Sequence, residues 1–127
     1  MPLPIESVTT LALGRALDAA ALRHQAIAAN IANHAVEGYV PLSVSFDKEL
    51  AQARLDLSGP RRLDEATLAG ARPHLTQVVG ADGRVAPVKL DAEMASMAQN
   101  AVQYQALVRG LSRHLSILAT AAGDGRK

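Results

Sequence analysis

The sequence predicts an all-α protein: two long terminal helices in coiled-coil packing, a short third helix, and an irregular middle with a small β-hairpin. Three observations carry this. Of 127 residues, 25 are alanine and 17 leucine, while Tyr39, Phe46 and Tyr104 are the only aromatics. Alanine is the strongest helix former and lets helices approach closely, whereas aromatics normally supply much of the area buried in a compact core. Leu90, Met94, Met97, Ala101, Tyr104, Val108, Leu111, Leu115, Leu118 and Ala122 step by four and three, the heptad spacing of a helical seam. Near the front, Leu13, Leu17, Ala20, His24, Ile27 and Ile31 keep the same spacing.

The first unit spans 1–34. Its helix is expected to start between Pro4 and Val8, with proline tolerated in the first turn and Ser7 able to cap. It should end near Asn33 or His34, with Gly38 free to take a positive φ in the exit turn. Over 35–57, Pro41 disfavours helix at Val40, so Pro41 to Val44 should be extended. Ser45 can then cap a short helix through about Leu55, with Phe46 and Leu50 on one face. The stretch 58–88 holds Gly59, Gly70, Gly80 and Gly83 and no sustained period, so it reads as largely irregular. Within it, Leu75–Val79 and Arg84–Val88 flank Gly80–Gly83 and suggest a hairpin, which would need a surface to lie on. The last unit, 89–127, has Asp91 as N-cap, Glu93 in the first turn where the helix dipole favours an anion, and Gly123 and Gly125 at the stop. A helix of about 30 residues is roughly 45 Å long and needs another long helix to cover it. Spacing alone leaves open whether the pair is parallel or antiparallel, within one chain or between chains.

Composition excludes more than it assigns. The net charge of +1 gives no electrostatic case for nucleic acid or an anionic membrane. Without cysteine there is no disulfide, thiolate nucleophile or sulfur-ligated metal. No basic n-region or uninterrupted apolar stretch suggests a cleaved signal peptide, and nothing reaches the roughly 18 apolar residues of a spanning helix. His24, His34, His74 and His114 have no metal-ligand spacing, and His24 reads as a hydrogen-bonded interface residue. Asp64-Glu65 and Asp91/Glu93 read as surface and helix-start acids, and the serines lack a nucleophile elbow. Arg61-Arg62 and Arg126-Lys127 have no aromatic platform beside them. Met94 and Met97 fit core packing better than an adaptable groove. No catalytic residue, cofactor or metal ligand is expected.

One stretch asks for more than packing. Ala29-Asn30-Ile31-Ala32-Asn33, then Gly38-Tyr39, places two asparagines and an aromatic at one helix exit. Each residue has an ordinary explanation alone: Asn30 facing solvent, Asn33 as a C-cap, Gly38-Tyr39 as a loop. The combination resembles the N-terminal signature of the flagellar axial proteins, the rod and hook family. Ser45-Phe46-Asp47 after the turn and the run from Val88 to Asn100, with Tyr104-Gln105, Leu118 and Gly125-Arg126, are similar as well. The likeness covers about Leu17 to Leu50 and Val88 to Arg126; the middle matches nothing specific. In one departure, Val36-Glu37 stand where the family usually has threonine and proline.

The resemblance implies a rod subunit that performs no chemistry and transmits torque from the motor toward hook and filament. It implies export, without a cleaved signal, through the flagellar type III apparatus to the periplasmic rod. Its partners would be other rod subunits and the adaptor and MS-ring proteins at the base, with no nucleic acid and no membrane insertion. The residues it places at assembly contacts are Asn30, Ile31, Asn33, Gly38 and Tyr39 at the exit. Leu13, Leu17 and Ile27 would serve in the first helix, and Leu90, Met94, Met97, Tyr104, Val108, Leu111, Leu115 and Leu118 in the last. The competing class is a cytoplasmic coiled-coil adaptor that binds one helical partner.

Overall fold

A computed structural model describes residues 4–46 and 65–125. Helix α1 spans Pro4–Ala32, strand β1 Leu42–Ser45, helix α2 Glu65–Gly70, strand β2 His74–Gln77 and helix α3 Leu90–Asp124. The molecule is mostly helical, and its two long helices lie against each other along their lengths. They run antiparallel within one chain. The Asn100 side chain reaches the Ala20 carbonyl, Arg23 reaches Gln103, and Glu93 shares a cleft with Asn30. No helix among the described residues is long and apolar enough to cross a membrane.

α1 is the central element. Ala20 faces α3, while Ala19 on the other side packs with Phe46, Ala71 and Val44 in a small cluster, and Leu68 is buried nearby. Arg15 ties α2 to α1 through the Ala69 carbonyl at 3.3 Å. Alanines at the buried positions of α1 let backbones approach closely, so little apolar volume is enclosed for the length of helix used.

The sheet differs from the expected hairpin. β1, extended as expected after Pro41, pairs antiparallel with β2, with Leu42 opposite Gln77 and Ser45 opposite His74. The turn over Gly80–Gly83 does form: Gly80 N–H bonds the Arg84 carbonyl at 2.9 Å, and Gly83 has φ +76°. Residues 84–88 nevertheless make no strand. Pro87 has no N–H for a ladder, while β1 offers β2 a partner already lying on α1. The stretch expected to be irregular thus contains both α2 and β2. The short helix expected from Ser45 to Leu55 lies outside the described residues beyond Phe46, and Ser45 itself closes β1.

Both long helices lie close to their expected limits, but three end details differ. Ser7 lies inside α1. Lys89, not Asp91, occupies the N-cap position of α3; the Asp91 carboxylate accepts from the Ala92 N–H in the first turn. Gly123 is helical, and Gly125 stands at the C-cap.

Candidate functional site

The helix exit is an ordered hydrogen-bonded unit. α1 has orphan carbonyls at its C-terminal end, and Asn33 satisfies one of them. Its side-chain amide donates to the Ala29 carbonyl at 2.8 Å beside its own backbone N–H at 3.0 Å. His34 does the same for Ile31, through its ring Nδ1 at 2.7 Å. Val36 N–H bonds the Asn33 carbonyl, and Tyr39 N–H bonds that of Val36. Gly38 is the third residue of this last turn and has φ +77°, as a type II turn requires. A Cβ there would meet nothing within 4 Å, so only the backbone conformation selects glycine.

Asn30 anchors the chain as it leaves this turn and enters β1. It is 2% exposed, not solvent-facing. Its Oδ1 accepts from the Leu42 N–H and the Tyr39 hydroxyl, both at 2.8 Å, and its Nδ2 donates to the Leu42 carbonyl at 2.9 Å. Val78 N–H bonds the Pro41 carbonyl, which extends the β1–β2 ladder by one pair. Alternate residues of an antiparallel strand point their backbone groups to opposite sides, so those of Leu42 face α1. The Asn30 carboxamide takes the place of a neighbouring peptide group there. Tyr39 is half-buried against this network. Loss of solvent, then the nearby Glu93 carboxylate, push its phenol above the usual tyrosine value. Ile31 is partly covered.

The α3 seam requires the main correction. The expected seam combined two lines along the helix. Met97, Leu111 and Leu118 of the first line are partly covered, as are Leu13 and Leu17 of α1, and Ile27 is buried. Tyr104, also on the first line, is exposed. Leu90, at the start of the first line, is exposed too, and the second line does not face α1: Met94, Val108 and Leu115 are exposed, Met94 at 60% and Leu115 at 48%, and Ala101 with them. Glu93, Asn100, Leu107 and His114, one position earlier, are turned inward instead. Both lines alternate four and three with the first one, so heptad spacing cannot choose between them; polar Asn100 and His114 made the true one look like surface.

Asn100 is 5% exposed and donates to the Ala20 carbonyl at 2.8 Å, while its Oδ1 and the His114 Nε2 are buried without a partner. His24, expected at the interface, is exposed and lines a groove with Ala20, Ala21, Ala101 and Tyr104.

The described residues group no three potential metal ligands. Comparison with protein-family models and with curated protein sequences returned no match.

Proposed function

We propose that the chain is a structural subunit of the bacterial flagellar basal-body rod, most similar to the proximal rod protein. It would be exported through the flagellar type III apparatus and assembled in the periplasm, where it transmits torque toward the hook. The observation that carries this reading is the convergence of Asn30, Gly38 and Tyr39, the residues of the axial-protein resemblance, on one exit network. A second feature agrees with it: Met94, Val108 and Leu115 form an exposed apolar line on a helix whose neighbouring face is already occupied by α1. Neighbouring rod subunits would cover that line, and the adaptor and MS-ring proteins would meet the subunit at the base.

The test is genetic. Deletion should abolish swimming and leave no hook or filament. Among complementing variants, Leu115→Asp should leave the free chain folded and block assembly, since a charge at a buried contact costs several kcal/mol. Leu111→Asp should unfold the helix pair itself, and Ser112→Asp should swim. Filaments on the deletion strain would sink the rod reading and favour the coiled-coil adaptor.

A further inference from the structure

α3 carries two seams that share one line. Met97, Tyr104, Leu111 and Leu118 form the shared line; Glu93, Asn100, Leu107 and His114 flank it on one side, Met94, Ala101, Val108 and Leu115 on the other. The flank turned toward α1 is the polar one, with Asn100 Oδ1 and His114 Nε2 buried and unpartnered. The exposed flank is apolar throughout. Burial of the polar flank in preference to the apolar one inverts the usual partition.

We propose that α3 exchanges between two seats on α1 by rotating about its own axis. Adjacent residues lie 100° apart around an α-helix, so moving the contact from one flank to the other turns α3 by about 50°. The shared line stays near α1 throughout. The present seat gains the Asn100 bond to Ala20 and the Arg23–Gln103 bond. The rotated seat loses both, frees the two orphaned polar atoms, and covers Met94, Val108 and Leu115 in place of Leu107. Each seat keeps something the other lacks, so neither dominates. The α1 surface permits both, because its buried positions toward α3 include Ala20, which holds no bulky neighbour in one rotation. The exchange is a property of the isolated chain and holds whether or not the rod reading does.

The chain has no cysteine, so single-cysteine variants report cleanly. Thiol labelling rates would be measured at Leu107→Cys, Val108→Cys and Ala20→Cys, each alone and combined with Met94→Gln and Leu115→Gln. Those two glutamines alter only residues exposed in the present seat and disfavour the rotated one. Labelling at Leu107→Cys should slow by about tenfold and that at Val108→Cys should rise up to about twofold, while Ala20→Cys stays protected, as expected for two seats of similar population. Asn100→Leu with His114→Leu, which relieves the orphaned atoms, should move both rates the same way. Unchanged rates at 107 and 108 would show a single fixed seat. Parallel changes at 107 and Ala20→Cys, with none at 108, would show whole-helix separation. Either result overturns the proposal.

Discussion

Two regions of the molecule each bury an asparagine, and they handle it in opposite ways. At the exit of α1, Asn30 has both side-chain polar atoms bonded, and each bond goes to a group fixed by the chain path: the Leu42 peptide or the Tyr39 hydroxyl. In the helix pair, Asn100 has one atom bonded to a carbonyl already serving α1's own ladder and the other bonded to nothing. A satisfied polar network specifies one geometry, whereas a half-satisfied one costs stability compared with an apolar seam. The exit is therefore a rigid joint and the long seam a loose one.

The largest expected effect separates the two asparagines by sign. Asn30→Leu leaves the Leu42 N–H, its carbonyl and the Tyr39 hydroxyl without their partner, and should destabilise the chain by about 2–4 kcal/mol. Asn100→Leu removes an orphaned acceptor together with a single bond, and should be neutral or stabilising by up to about 1 kcal/mol. Urea unfolding of both variants measures this; equal losses would end the contrast. Next comes Gly38. Gly38→Val forces a β-branched residue to φ +77° and should cost about 2 kcal/mol, with Gly38→Asn milder, because asparagine tolerates the left-handed region. Open space around the position means that no clash contributes.

Tyr39→Phe should cost about 1 kcal/mol at neutral pH, the worth of one hydrogen bond. It also tests a pH dependence. The native phenol titrates above its unfolded value of 10.0, so its contribution is complete below pH 10 and is lost as pH rises through the native value. Wild type should weaken above about pH 10 more steeply than Tyr39→Phe. The smallest effect should be a gain. Glu37 occupies the second position of the turn from Val36 to Tyr39, where proline suits a type II turn. Glu37→Pro should raise stability by about 0.4–1 kcal/mol by restricting the unfolded chain, measurable as a higher Tm.

Much of the fold was legible from local signals. Pro4, Asn33 and Gly38 bracket α1, Pro41 announces β1, and the periodic run from Leu90 announces α3. The β1–β2 pairing was not legible, because it joins residues about thirty apart and competes with a hairpin that has a good turn but a proline in its second arm. At the exit, the pair of asparagines drew attention to Asn30, yet nothing in the sequence told that its amide would bond a strand. On α3, the heptads located the helix face only to within one residue. Apolar content favoured the flank of Met94 and Leu115, and the structure turned the flank of Asn100 and His114 inward instead.

The Asn30 bond to Leu42 has one more consequence. A two-stranded sheet has two edges, and each is a template onto which another extended chain can add. On β1 that template is occupied at Leu42 by a side chain from α1, whereas among the described residues no further strand pairs with β2. Association through β2 with the same strand of a second molecule would leave β1 outermost on both sides and stop at four strands. An endless ladder needs two free edges per molecule, and a single carboxamide removes one of them.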